Sequence, residues 1–355
     1  MEQIIQITKD MTIQQAIAIF FNEDALRLPP DKIYRMDLGN YRYYYKFVEQ
    51  PDGTMLPEFY QSVTTMIHNT MPTSKYLIDW YAQNGLDKAR QILDESSTYG
   101  TFMHKVCADL LINGTIDLDT MDQQLSEFLY LEGMDQKYVK EWIHNLRKDV
   151  LAFAQFIIDT NFEPLAIEMV LVDDDHKYGG ALDLVGYMDV KEKGFFGEVY
   201  KSGAKAGEQK ETNRDVRVLA LIDMKSGRKG FWESHEIQLE AYGRMWNKTF
   251  TDKKLERIFN WSPKDWRSTP SYNLKDQTNS PNREKLDYML KIAAIEDAKK
   301  DRMVTITSGK IDLARIRKNP ENLKANIQEV TLEQVVEMGE KKRNSASEPK
   351  EENVL

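Results

Sequence analysis

Asp223 and Lys225 close an apolar run, Leu219-Ala-Leu-Ile-Asp-Met-Lys-Ser-Gly227. A short apolar run stopped by a Ser-Gly turn predicts a buried strand. Residues two apart share a strand face, so Asp223 and Lys225 point one way and Met224 the other. A carboxylate and an ammonium at the end of a core strand are costly to bury unless they are paired or metal-bound. Asp183 lies in a second predicted strand, Tyr178-Gly-Gly-Ala-Leu-Asp-Leu-Val-Gly-Tyr-Met-Asp189. If the two strands are antiparallel neighbours, the two acids come close together. Facing carboxylates repel unless a cation sits between them, and hard oxygen ligands select Mg²⁺ or Mn²⁺. Such a cation acidifies a bound water, orients a phosphate oxygen and shields developing charge. Lys225 would position the attacking water or neutralise that charge. Gly179-Gly180, lacking Cβ atoms, would let a phosphate backbone approach. A buried structural ion pair is the competing account of Asp223 and Lys225.

The elements that must position these residues follow from the periodicity. Met11–Phe21 reads as a small helix, with Ile13, Ala16, Ile17 and Phe20 at helical spacing. Tyr41–Glu49, a Pro-Asp-Gly turn at 51–53 and Phe59–Thr64 read as a hairpin. Its tyrosines would pack the sheet or stack on nucleic-acid bases. From Thr73 to about Asn113 the pattern is helical, interrupted at Gly85, and it carries Gly100, Thr101, His104 and Cys107. Two more helices fill 118–159, the second long, with Val139, Ile143, Leu146, Val150, Phe153 and Ile157 along one stripe. Strands are predicted at 164–172, with Glu168 in the middle, at 178–189 and at about 214–225. Asp173-Asp174-Asp175 between the first two reads as a solvated turn. The segment 191–215, rich in Gly, Lys, Glu and Ser, reads as a long exposed connection or hairpin. A helix over about 234–248 carries His235, Gln238, Tyr242 and Met245 on one face; His176 and His235 read as structural or exposed. A strand at 255–261, a loop to Tyr272, a helix at 282–298, a short strand at 303–307 and short helical pieces over 310–342 complete the reading. The last dozen residues have almost no apolar content and are expected to be disordered.

Composition bounds the class. The 355 residues are 41% hydrophobic and 10% aromatic, enough for a substantial core. No run is long enough for a membrane span. The first residues lack the basic start and apolar segment of a signal peptide, and Cys107 is the single cysteine, so a cytoplasmic, reducing setting is expected. One cysteine excludes an internal disulfide and an all-cysteine zinc or iron–sulfur site. A net charge of -9 speaks against a protein that coats nucleic acid without specificity. It leaves room for a local basic groove, and Lys201, Lys205, Lys210, Arg214, Arg217, Arg228 and Lys229 frame the Asp183–Lys225 region in sequence. No Gly-x-x-x-x-Gly-Lys-Ser/Thr motif is present, so an unwinding motor would be another chain.

Four ordered elements carry a resemblance: Tyr-Gly100-Thr101-Phe-Met-His104, Gly-Gly-Ala-Leu-Asp183-Leu-Val, Leu-Ile-Asp223-Met-Lys225-Ser-Gly and Gln238-Leu-Glu-Ala-Tyr242. Together they resemble the PD-(D/E)XK nuclease superfamily, and within it the RecB-type branch that includes the CRISPR-associated adaptation exonucleases and the AddB nuclease domain. Ser62-Val-Thr-Thr and Trp80 resemble that branch's N-terminal helical part, so the match runs from about residue 60 to 262. The cysteines that hold an iron–sulfur cluster in many relatives are absent here. The resemblance implies an α/β, restriction-endonuclease-like core with a mixed central sheet flanked by helices, plus a helical N-terminal region. Residue pattern gives an N-terminal helix and aromatic hairpin over 1–60, a helical extension over 311–343 and a disordered tail over 344–355; between them the resemblance implies a helical region over 61–160 contributing His104 and a nuclease core over 161–310. It implies that His104, Asp183, Asp223 and the Met224 carbonyl bind Mg²⁺ or Mn²⁺, that Lys225 is the catalytic lysine, and that Gln238 and Tyr242 support the site or touch DNA. Glu168 would bind the metal through water or set the orientation of Lys225. The implied activity is metal-dependent hydrolysis of DNA phosphodiester bonds from an end, in recombination, repair or replication-linked processing. The implied partners are DNA ends and a helicase, recombinase or single-strand-binding protein, with no membrane. Phage-borne relatives belong to this branch, which would put such a chain in a host cytoplasm. An endonuclease of the same superfamily and a catalytically silent DNA-binding scaffold are the alternatives.

Overall fold

A computed structural model describes residues 29–38, 41–228, 230–299, 304–307, 311–322 and 327–330. The expected Met11–Phe21 helix, Lys229 and the C-terminal tail lie outside the described residues. In chain order the elements are β1 (Tyr34–Leu38), β2 (Tyr41–Glu49), β3 (Met55–Ser62), α1 (Val63–Thr70), α2 (Lys75–Asn84), α3 (Leu86–Asn113), α4 (Met121–Leu131), α5 (Lys137–Thr160), β4 (Glu163–Asp173), β5 (Tyr178–Val199), β6 (Gln209–Met224), α6 (Glu233–Thr249), β7 (Arg257–Pro263), β8 (Tyr272–Asp276), α7 (Lys285–Lys299), β9 (Val304–Thr307), α8 (Leu313–Lys318) and β10 (Ile327–Val330). No helix among the described residues is long and apolar enough to cross a membrane.

The architecture is α/β, built on a mixed eight-stranded sheet. Its order is β1-β2-β3-β5-β6-β7-β8, with β4 paired to β5. β5 runs antiparallel to both β4 and β6, as the Asp183–Asp223 pairing requires, whereas β3 joins β5 and β7 joins β6 in parallel. Residues group into two units: Tyr60–Leu290 with the chain up to Tyr44, and Tyr45–Phe59 with the chain from 291 onward. Within the second unit, Tyr45 packs on Phe47 and Phe59, and β9 pairs antiparallel with β10. The strand at Ile327–Val330 replaces one of the short helical pieces expected over 310–342. β1 and β8 also form where no strand was expected.

The first unit owes its order to alternation. On β5 and β6, Leu184, Met188, Val218, Ala220, Ile222 and Met224 face one way and join the core built by α3, α4 and α5. The opposite residues, Val185, Leu219, Leu221 and Asp223, are buried too, and α6 packs on this sheet with Ile237, Tyr242, Met245 and Trp246. Continuous apolar strands result, because both faces are covered. The stripe predicted on α5 faces the core: Leu146, Val150 and Phe153 are buried, Val139, Ile143 and Ile157 pack against it partly buried, Phe156 joins them unpredicted, and Phe153 meets Trp261 of β7 edge-on at 5.4 Å. The helices of 61–160 and the strands after 161 therefore share one core. α5 ends on Asn161 in the left-handed region, φ 49°, a C-cap conformation that asparagine tolerates.

The segment 191–215, read from sequence as an exposed connection or hairpin, is a continuation of β5 and β6. They stay in register from Leu184↔Ile222 out to Phe195↔Glu211, with a shift before Val199↔Gln209. Glycine and charged residues masked the strand signal, because this stretch has no buried face to impose alternation.

Candidate active site

The site forms where β6 ends against α3, β4, β5 and α6. Asp183 and Asp223 are both buried, and the Met224 N–H donates to Asp183 Oδ2 at 2.6 Å. His104, on α3, has Nε2 3.1 Å from the Met224 carbonyl oxygen. A carbonyl only accepts, so Nε2–H donates to it and Nδ1 faces the acids. Nδ1 lies 3.5 Å from Asp183 Oδ1 and 3.6 Å from Glu168 Oε1. The three side chains offer ligand atoms all within 4.8 Å of one another. Gly100, one turn before His104, lets α3 approach the chain beyond Lys225: a Cβ there would sit 3.1 Å from Ser226 Oγ.

Glu168 holds an unusual backbone. Its φ is 48° in the middle of β4, at the step opposite Asp183 between the pairs Ile167↔Leu184 and Met169↔Leu182. A non-glycine residue in the left-handed region costs on the order of 1–3 kcal/mol and persists where its surroundings hold it. Here it turns a carboxylate toward His104 and Asp183. The sequence assigned Glu168 an indirect part; the structure brings it directly into the cluster.

Lys225 is held on two sides. Its Nζ donates to Asp223 Oδ1 at 2.8 Å and to Gln238 Oε1 at 3.0 Å. Gln238 Nε2 in turn donates to the Tyr242 hydroxyl at 2.8 Å. Gln238 and Tyr242, four apart on α6, thus support the lysine as a relay. Asp223 stands outside the His104–Glu168–Asp183 group. Its oxygens are engaged by Lys225 and by Asn260 Nδ2 at 2.8 Å, and Asn260 Oδ1 accepts from Gln277 Nε2 at 3.1 Å. The Met224 carbonyl, expected as a ligand, is the acceptor for His104. Asn260 and Gln277 were missed by sequence reading. The signal for Asn260 was an amide inside the apolar run Ile258-Phe-Asn-Trp261, where a buried polar group needs a partner.

The electrostatics follow from burial and proximity. Burial opposes a charge on His104, but Asp183 and Glu168 beside it push its pKa up to about 10. Burial works against the Asp183 carboxylate as well, yet His104, Lys225 and the Met224 N–H hold its pKa below the usual range. Burial raises Glu168 and takes Asp223 to about 6, although Lys225 opposes the latter shift. His235 is neutral, because burial and the charge on Lys225 lower it to about 3; its Nδ1 accepts the Trp232 N–H at 3.2 Å.

Three expectations change. A Cβ on Gly180 would lie 2.4 Å from Tyr242 Cε1, and one on Gly179 2.9 Å from Val172 Cγ1. The space beside both glycines is filled by the protein's own side chains, so they serve core packing and do not admit a phosphate backbone. The basic residues also disperse. Arg228 follows Lys225 and pairs with the buried Asp149, to which Tyr99 donates at 2.6 Å. Arg217 pairs with Glu163 and Asp189, and Arg214 lies over the Phe196 ring. Lys201, Lys205 and Lys210 belong to the far end of β5 and β6. The solvated reading of Asp173–Asp175 gives way to anchoring: Lys248 bonds Asp173 and Asp175, and Tyr60 donates to Asp174. Tyr44 and Tyr60 are buried in the sheet, as the packing account of the tyrosines has it. Cys107 is a buried core residue.

No family model and no curated protein matches this chain.

Proposed function

We propose that the chain is a metal-dependent deoxyribonuclease acting from DNA ends. The observation that carries this reading is the His104–Glu168–Asp183 cluster standing beside an ammonium, Lys225, that Asp223 and Gln238 hold in place. One imidazole nitrogen 3.5 and 3.6 Å from two carboxylate oxygens, with all three ligand atoms within 4.8 Å, fits a set of neighbouring ligands around a small divalent cation. His104, Glu168 and Asp183 would hold Mg²⁺ or Mn²⁺, with Asp223 adjoining. The cation would supply a water acidic enough to deprotonate near neutral pH and a counter-charge for a phosphate oxygen.

The chain's own residues do the rest. Lys225 has three N–H bonds, and Asp223 and Gln238 take two. The third is left to donate to the attacking water or to a phosphate oxygen, where it stabilises charge that grows toward the transition state. Gln238 and Tyr242 fix the ammonium before the substrate arrives. Asn260 and Gln277 keep Asp223 from turning away. The ordered elements around His104, Asp183, Asp223 and Gln238 support a nuclease of the RecB-type branch over other metal-dependent hydrolases, and in that branch attack from an end.

The test uses linear single-stranded, linear duplex and closed circular DNA, end-labelled where linear, with Mg²⁺ or Mn²⁺. Wild type is compared with Asp183→Asn and Lys225→Met. Loss of linear DNA with circles spared, abolished in both variants, supports the reading and gives the polarity. Cut circles move it to an endonuclease. No cleavage of any form by wild type with either metal refutes it.

A further inference from the structure

β5 and β6 outrun the sheet that holds them. β4 covers β5 only as far as the pair Glu163↔Tyr187, and β7 covers β6 only from the pair Ala220↔Arg257. Beyond those pairs the two strands have no further strand partner among the described residues; they continue to Val199↔Gln209 and close through a hydrogen-bonded tip, in which the Tyr200 N–H donates to the Glu208 carbonyl and the Gly207 N–H to that of Tyr200. Isolated two-stranded ribbons are marginal. This one is braced by Lys193–Glu211 at 2.7 Å, by Arg214 over Phe196 at 4.0 Å and, at its base, by Arg257 on Glu192.

The tip of the ribbon carries a local excess of positive charge that the chain as a whole lacks. Between Tyr200 and Lys210 stand Lys201, Lys205 and Lys210 against one acid, Glu208, in a chain whose net charge is -9. All three lysines are exposed, and none has an acidic partner among the described residues. Of the acids flanking the tip, Glu198 is exposed and Glu211 is taken by Lys193. Phe195 is 62% exposed beside them. A strand partner adding to the ribbon's edge is disfavoured: Gly197, φ 86°, and the register shift between Phe195 and Val199 interrupt that edge, and charged residues line it. A twisted two-stranded ribbon fits the major groove of B-form DNA, and the tip lysines, of which Lys205 lies over the Tyr200 ring and none meets a described acid, complement phosphates.

We infer that this ribbon is a second DNA-binding element, which grips the duplex well away from the catalytic cluster. The span follows from the register. Asp183 and Val199 lie on one strand, and at about 3.3 Å per residue the tip stands roughly 50 Å from the site. That length corresponds to about 15 base pairs of duplex at ~3.4 Å per step. The ribbon would hold the substrate's body while its end is processed. This inference rests on the DNA-hydrolysing reading for its substrate class.

The experiment measures binding apart from cleavage. A Lys201→Gln/Lys205→Gln/Lys210→Gln variant and wild type, both carrying Asp183→Asn, are titrated by fluorescence anisotropy against a 40-base-pair duplex and a hairpin-closed 10-base-pair duplex over a range of salt. The triple variant should bind the long duplex at least tenfold more weakly, and its slope of log affinity on log salt should be shallower by about 2–3, the value for three lost phosphate contacts. Both proteins should bind the short duplex alike. Equal affinity and equal slope on the long duplex would overturn the inference, as would equal weakening on both lengths. Cleavage by the parent protein is scored separately. Weakened long-duplex binding with no cleavage keeps the ribbon and removes the nuclease reading; cleavage with unchanged binding does the reverse.

Discussion

Gly180→Ala tests the geometry that holds Lys225. A Cβ at position 180 would lie 2.4 Å from Tyr242 Cε1, 3.2 Å from Cζ and 3.3 Å from Cδ1. Carbons are comfortable at roughly 3.5–4.0 Å, so the ring must retreat by about 1 Å. Tyr242 is only 5% exposed and cannot swing into solvent. Overpacking of this kind costs about 1–3 kcal/mol. A retreat of that size also draws the hydroxyl beyond bonding distance of Gln238 Nε2, now 2.8 Å away, which removes about 1 kcal/mol more. The expected loss is therefore about 2–4 kcal/mol in urea unfolding followed by tryptophan fluorescence. Metal-dependent DNA cleavage should fall with it, because Gln238 loses its brace on Lys225. A second substitution separates steric from general damage. Tyr242→Leu vacates the space, so Gly180→Ala in that background should cost at least about 1 kcal/mol less than in wild type. Tyr242→Phe keeps the ring and should bring no such relief. Wild-type stability for Gly180→Ala, or strict additivity with Tyr242→Leu, would refute the packing.

Three further outcomes follow from the site. Glu168→Gly should be at least as stable as Glu168→Ala in thermal unfolding, because φ 48° suits glycine while alanine keeps the strained Cβ, and both should lose metal affinity in calorimetric titration. His104 carries a proton at pH 7, since Asp183 and Glu168 raise its pKa to about 10, and a divalent cation bound as proposed would have to displace it. Calorimetry in two buffers of different ionisation enthalpy should show about one proton released per site at pH 7, with apparent affinity rising as pH rises, and no release would contradict the imidazole as ligand. Cys107 is fully buried and its thiol is pushed up by burial, so native protein should resist a thiol reagent that labels it fully in denaturant.

What the chain made legible by itself was whatever local periodicity dictates. Apolar runs with both faces buried announced β5 and β6 around Asp183 and Asp223, and a 3.6-residue stripe announced α5. Residue type and strand pattern brought Asp183, Asp223 and Lys225 together, the family resemblance added His104, Gln238 and Tyr242, and the structure gathers all six in one neighbourhood. Only tertiary structure decided how they divide. Glu168 enters the cluster through a backbone conformation that no propensity predicts for glutamate, sustained by the strands around it. Asp223 is drawn off to Lys225 and Asn260, a partner 37 residues away that arrives through the parallel pairing of β6 with β7. The Gly179-Gly180 pair reads in sequence as open space, yet the third dimension fills it with Val172 and Tyr242. Three lysines that frame the site in sequence stand at the opposite end of a strand, because an extended chain converts sequence distance directly into length. Periodicity is a local property and survives in the sequence; the partner of a buried polar group is a long-range one, fixed when the sheet assembles.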